Sequence, residues 1–319
     1  MSIWRSFRDG FSLLVDKHLP YHTYVLTNIT QTSLEHSPNV LFYGAYGFPL
    51  EYYAECFVRR LIGTDNTLSA THVKSPAKRA VWDHKVPYAF TDHYFIVDLN
   101  HPDMPKDLGC FPDFIKNILE SACIHMERHV FILTNVDVIC TSNNHFAMRV
   151  LLERFSKNAI FVGTTHKIGN IEPPIQSRFM LVRVPLPTPQ ECSAIVRELV
   201  PDGTYQECAP GNRNLLHHIG NAARSSTSQS PSALAYPPLE DFMRRSQSVE
   251  SIRQMSYKLF QAHVTLPLLT ADLIKHVPPK KAATLIHRAA DLDRQFKASS
   301  QCRETLYLEL LLHYAFLLR

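Results

Sequence analysis

The chain has 319 residues, 45% of them hydrophobic and 19% charged, with a formal charge of +4. That length suits two or three domains, and the balance is that of a soluble globular protein with no apolar run near the ~20 residues of a membrane span. So mild a positive charge does not by itself predict nucleic-acid binding.

In chain order, residues 40–43 read as a strand, 52–62 as a helix, 93–99 as a strand, 111–124 as a helix, 130–133 as a strand and 146–155 as a helix, with strands again at 160–163 and 180–184. The apolar runs are continuous, as parallel strands buried on both faces require. This alternation implies a parallel sheet covered by helices. Lys74, Lys78, Arg79 and Lys85 form a loose basic run that reads first as a solvated loop and second as a DNA contact. Thr188-Pro189-Gln190-Glu191 is a helix entry, with Thr188 as cap and Glu191 three residues on. Residues 225–238 are rich in Ser and Pro and read as a linker. Beyond them Val249, Ile252, Met255, Leu259 and Phe260 recur at helical spacing, residues 268–277 do so again, and residues 306–318 are apolar on nearly every face. Such a last helix must be buried against something.

The start of the chain, Trp4-Arg5-Ser6-Phe7-Arg8-Asp9, interrupts any signal-peptide core. Seven scattered cysteines form no C-x-x-C pair, and 17 histidines form no H-E-x-x-H frame. A reducing compartment and no metal site are expected.

After the first strand, residues 44–51 read Gly-Ala-Tyr-Gly-Phe-Pro-Leu-Glu where a phosphate-binding loop would read G-x-x-x-x-G-K-[ST]. Gly44 fits, while Gly47 lies off the pattern. Pro49 takes the place of the second glycine and has no N–H to offer a phosphate. Leu50 replaces the lysine that meets the β and γ phosphates. Glu51 replaces the magnesium-holding hydroxyl, and its carboxylate suits a helix N-terminus but repels a triphosphate. The loop reads as a lost ATP site, and no cofactor is expected.

Residues 129–189 contain Ser156-Lys157-Asn158, then Ile171-Glu172-Pro173-Pro174-Ile175-Gln176-Ser177-Arg178, then a hydrophobic strand ending in Pro185-Leu186-Pro187. This wording resembles the small subunits of replication factor C, the eukaryotic sliding-clamp loader. In that family a Ser-Arg-Cys tripeptide places its arginine at the ATP of a neighbouring subunit; Arg178 matches and Phe179 departs. The resemblance implies an α/β AAA+ domain over residues 1–186, a parallel sheet with helices on both faces. It further implies a small helical lid over 187–224, the linker over 225–238 and a C-terminal all-α collar domain over 239–319. Asn212-Arg213-Asn214-Leu215-Leu216 is similar to the start of the lid's last helix in the branch that least needs its own nucleotide. Tyr307-Leu308-Glu309-Leu310-Leu311 resembles the collar's last helix, where five subunits form a ring; an ordinary core within one chain is the alternative. The family's opening box, which helps seat adenine, is reduced to Trp4-Arg5-Ser6-Phe7-Arg8.

The family's acidic strand ends in acids followed by Ala-Asp, whereas this chain has Thr134-Asn135-Val136-Asp137. Asp137 alone survives, and the amide of Asn135 cannot serve as a general base. Thr164-Thr165-His166 stands where a sensor asparagine is expected. In the family, basic side chains on the next helix line the channel for primer-template DNA, which makes Arg149, Arg154 and Lys157 candidate phosphate contacts without sequence readout. A solvated face with an Arg149–Glu153 pair is the alternative. The resemblance thus implies a catalytically inactive, nuclear subunit of a heteropentameric ATPase, with other loader subunits, a ring-shaped clamp and primer-template DNA as partners. Arg178 would be its arginine finger in trans. Two alternatives are an ATP-binding AAA+ subunit with an atypical loop and an adaptor derived from a loader subunit.

Overall fold

The computed structural model describes residues 3–63, 86–91, 93–101, 103–105, 108–120, 126–140, 145–200, 213–225, 239–244, 248–262, 264–298 and 304–318. Lys74, Lys78, Arg79, Lys85, Asn212 and nearly all of the 225–238 linker lie outside them. The chain divides into two compact units. One comprises residues 8–45 and 49–185; the other comprises residues 186–319, the segment 46–48 and the residues up to Phe7.

In the first unit, helices α1 (Ile3–His18, shared with the second unit) and α2 (Pro20–Ile29) precede the first strand. Pro20 sits in the first turn of α2, where a missing N–H costs nothing. The alternation that follows is β1 (Val40–Tyr43), α3 (Leu50–Ile62), β2 (Ala89–Phe90), β3 (Phe95–Asp98), α4 (Cys110–Leu119) and β4 (His129–Thr134). It continues with α5 (Asp137–Cys140), α6 (His145–Arg154), β5 (Ala159–Thr165), α7 (Pro173–Gln176) and β6 (Met180–Arg183). The strand order is β2-β3-β4-β5-β1-β6. Every pairing is parallel except that of β2, which joins β3 antiparallel and makes the sheet mixed where a purely parallel one was expected.

Successive strand residues face opposite sides, and the core shows it. Leu41 belongs to a cluster with Phe131, Leu133, Phe161, Phe111, Phe114 and Phe179, in which Phe131 stacks on Phe95 at 5.2 Å and on Phe161 at 5.5 Å. Its neighbour Phe42 points the other way, edge-on to Tyr53 at 5.2 Å and Phe57 at 5.5 Å, both from α3. Helices therefore cover both faces, α4 and α6 on one and α3 on the other. All six residues of β4 are buried, as its unbroken apolar run requires.

One buried cation fastens the lower edge of the sheet. Arg128, just before β4, donates to the carbonyls of Leu34, Glu35, Ser37, Ser156 and Ala159 at 2.5–3.2 Å. It ties the lead-in to β1 to the turn before β5.

The second unit is helical: α8 (Pro189–Leu199), α9 (Leu215–Ser225), α10 (Leu239–Arg244), α11 (Val249–Gln261), α12 (Leu266–Leu273), α13 (Pro279–Ala298) and α14 (Glu304–Leu318). The entry to α8 is the expected capping box, with Thr188 and Glu191 serving each other's backbone N–H groups. A core of Leu259, Leu269, Leu285, Leu292, Leu308, Leu311 and Leu312 joins α11 through α14. The architecture fits the expected fold class, an α/β sheet domain followed by helical segments. No described helix is long and apolar enough to cross a membrane.

Candidate functional site

In open parallel sheets ligands bind beyond the carboxyl ends of the strands, where strand order reverses. Here that edge gathers the loop after β1, Asp98 at the end of β3, residues 134–137 from the end of β4 onward and residues 165–167 from the end of β5 onward. The chain leaves β1 for β3 and later returns to flank it with β5 and β6.

The loop leaves β1 through Gly44, where a Cβ would collide with the Val184 carbonyl oxygen. His166 Nδ1 lies 3.0 Å from the Gly44 carbonyl, and because a carbonyl can only accept, Nδ1 carries the proton. Burial pushes the His166 pKa down against the opposing pull of that bond and of Asp137, so the ring is neutral near pH 7. Gly47 has φ +108, and a Cβ there would lie 2.8 Å from Cγ of Asn214. Pro49 occupies the N-cap of α3 with no side-chain cap, and Leu50 begins the helix with its side chain 1% exposed. Glu51 follows. Crowding by the surrounding chain raises its pKa, Asp98 and Glu55 raise it further, and Arg8 opposes them, although its surface stays open to water.

The acidic-strand positions are engaged with one another. Thr134 Oγ1 donates to Asp98 Oδ1 at 3.0 Å, and Asn135 Nδ2 donates to the same oxygen at 2.8 Å. Asn135 adopts φ 57, a left-handed conformation that Asn tolerates better than most residues. Asp137 is buried and accepts from Thr165 Oγ1 at 2.7 Å. The loop residues Gly44, Leu50 and Glu51 thus share one sheet edge with Asn135 and Asp137. Asp98 is the member that sequence reasoning missed. Its signal was an acid closing an apolar run, Phe95 to Val97, just as Asp137 follows β4.

Arg178 lies between α7 and β6. Its guanidinium donates to the Pro174 carbonyl and to the Glu153 carboxylate on α6. Arg149 Nε reaches the same carboxylate oxygen at 3.3 Å, and the two arginines hold the Glu153 pKa low. The Arg149–Glu153 pair of the alternative reading is present, with Arg178 added to it. Phe179, the departure from Ser-Arg-Cys, is buried in the sheet's core cluster. Arg154 lies over the Phe155 ring at 5.6 Å, and Lys157 is exposed beyond the helix.

In the second unit Arg213 donates to the carbonyls of Pro187 at 3.0 Å and Leu186 at 2.5 Å, while Asn214 Oδ1 accepts from the His217 N–H at 2.9 Å. These side chains organise the start of α9. On α14, Tyr307, Leu308, Leu311, Leu312 and Ala315 are buried within the unit, whereas Leu306, Leu310 and Leu317 are exposed. One face thus serves the chain's own core and another stays open. Among the described residues no group of three or more His, Cys, Asp or Glu side chains could hold a metal ion.

The sheet and its covering helices define the class, an α/β fold whose loop after β1 lies at the same sheet edge as Asp98, Asn135 and Asp137. No family model matches the chain. Over 135 residues, 40% of the chain, it is 26% identical to replication factor C subunit 5 of Schizosaccharomyces pombe, and the match spans only 37% of that protein's length. Among solved structures, it is similar to a DNA polymerase III gamma subunit-related protein from Thermotoga maritima, with TM-score 0.43 and 12% identity over 93% of this chain and 99% of that one. Another is the Aeropyrum pernix ORC1 protein in complex with DNA, with TM-score 0.44 and 14% identity over 88% of this chain and 83% of that one.

Proposed function

We propose that this chain is a non-hydrolysing AAA+ subunit of a heteropentameric, replication factor C-like clamp loader, serving DNA replication in the nucleus. The observation that carries the reading is the pair of replacements at the sheet edge: Leu50 buried where a lysine would meet phosphates, and Asn135 bonded to Asp98 where a base would stand. A leucine in the core offers nothing to a triphosphate, and an amide cannot take a proton from water. The work left to the chain is structural and regulatory. Arg178 would exchange Glu153 for the γ-phosphate held by a neighbour, where a finger arginine is worth roughly 10³ to 10⁵ in rate in analogous enzymes. Arg149, Arg154 and Lys157 would face the phosphates of primer-template DNA, and the exposed leucines of α14 would join the collar.

Affinity capture of the tagged chain from its own cells tests the reading. Four further AAA+ chains and a ring-shaped clamp are expected in the eluate, and the isolated chain is expected to leave a labelled ATP analogue unbound. Capture without AAA+ partners would favour an adaptor. Micromolar, magnesium-dependent binding of the analogue would favour an ATP-binding subunit with an atypical loop.

A further inference from the structure

Helix α6 carries an aromatic ring that its fold does not use. Phe146 is 65% exposed and Val150, one turn on, 53% exposed, while Met148, Leu151 and Leu152 of the same helix fill the core. Because the buried stripe is already occupied, Phe146 cannot turn inward without displacing it. The His145 ring packs beside Phe146 with centroids 4.2 Å apart, which limits the rotamers of the exposed ring. The rest of the outward face is basic. Arg149 and Arg154 lie three and eight residues beyond Phe146, and Lys157 follows the helix. The acid among them, Glu153, is shared between Arg149 and Arg178, the latter from another element, so two guanidinium groups outweigh its single charge. An aromatic platform at one end of a row of cations is the combination that binds single-stranded nucleic acid, with phosphates on the cations and a base on the ring.

We infer that α6 holds an unpaired strand, with one base stacked on Phe146 and the following phosphates on Arg149, Arg154 and Lys157. This rests on the reading of α6 as a DNA-facing helix and adds to it a preference for single-stranded DNA with accessible bases. An elongated apolar protein contact is the competing occupant, and it would show no interest in bases.

The test is fluorescence anisotropy of the full chain with two labelled strands carrying the same number of phosphates, oligo-dT of ~12 nucleotides and its abasic counterpart. Oligo-dT is expected to bind roughly 5- to 150-fold tighter, the range for one base on an aromatic face. Phe146→Ala should abolish that difference without lowering affinity for the abasic strand, and Phe146→Tyr should keep it. Arg149→Ala with Lys157→Ala should weaken both strands alike and flatten the salt dependence, the slope falling by about 0.7 for each phosphate no longer neutralised. Equal affinity of the wild type for the two strands, or a preference that survives Phe146→Ala, would overturn the inference and leave the phosphate-contact reading standing. If the double variant binds both strands like the wild type, the DNA-facing reading itself fails, and the inference with it.

Discussion

Rewriting the loop to the phosphate-binding pattern, with Pro49→Gly, Leu50→Lys and Glu51→Thr, is expected to cost stability and to create no ATPase. Leu50 is 1% exposed, and burying a leucine side chain contributes ~1.5–3 kcal/mol that an ammonium seeking water forfeits in part or whole. Replacing a proline by glycine loosens the unfolded chain by a further ~0.4–1 kcal/mol. Removing Glu51 returns some of this by relieving its repulsion with Asp98 and Glu55. A net loss of ~1–3 kcal/mol lowers the melting temperature by roughly 3–10 °C in a unit of this size. Turnover should stay at background because Asn135 still donates its amide to Asp98. Restoring an acid there meets two obstacles: φ 57 suits Asn better than Glu, and a carboxylate at 135 would face Asp98 across the present 2.8 Å contact. The assays are a coupled ATPase measurement and thermal melts with and without magnesium-ATP. Magnesium-dependent turnover that disappears again on Asn135→Ala would refute the reasoning, as would a melting temperature that climbs with ATP concentration.

The elements legible in the sequence were those whose signal is local. The unbroken apolar runs of β1, β4 and β5 announce strands buried on both faces, and Thr188 with Glu191 announces the start of α8. Other elements carried a signal that was diluted. In α13, Leu285, Ala289, Leu292 and Phe296 are buried at spacings of four and three, yet eight charged or His side chains share the helix. In α1, Phe7, Phe11, Leu14 and Val15 follow the same rule, but the segment stands outside the strand–helix alternation. At two residues, β2 is too short to show any period. At the site, Pro49, Leu50, Glu51 and Asn135 could be compared with a motif, whereas their contacts could not be foreseen. That Asn135 and Thr134 share Asp98 depends on the parallel pairing of β3 with β4, which joins residues 36 and 37 positions apart. Arg128 is the opposite kind of miss. An arginine is ordinarily expected at the surface, and only the assembled edge reveals the carbonyls that justify burying it.

The remaining predictions bear on the scaffold and on the two proposed inter-subunit contacts. Arg128→Met should cost ~3 kcal/mol or more in denaturant titration, since it strands two buried carbonyls and three part-buried ones; a loss under ~1 kcal/mol would mean that water replaces the guanidinium. Leu306→Asp with Leu310→Asp should leave the monomer's stability nearly unchanged, because both side chains are exposed, while preventing co-elution with AAA+ partners. Deleting α14 is the poorer experiment, because its other face fills the unit's own core. Arg178→Ala tests the finger. Its guanidinium bonds at the surface of its own unit, to Glu153, the Pro174 carbonyl and Ser177 Oγ, so the variant should fold and join its complex. Clamp- and DNA-stimulated hydrolysis should then fall by one site's share, or by more if the sites fire in sequence, because the γ-phosphate charge lacks its partner. Arg178→Lys should rescue little, since a point charge on a flexible stem does not reproduce the planar fork. The discriminating control is Glu153→Gln, which removes the charge that faces Arg178 within the chain without removing the guanidinium. It should leave hydrolysis intact if Arg178 acts on a neighbour's phosphate. If Arg178→Ala and Glu153→Gln reduce the rate equally, the arginine serves only the Glu153 pair, and its role as a finger is excluded.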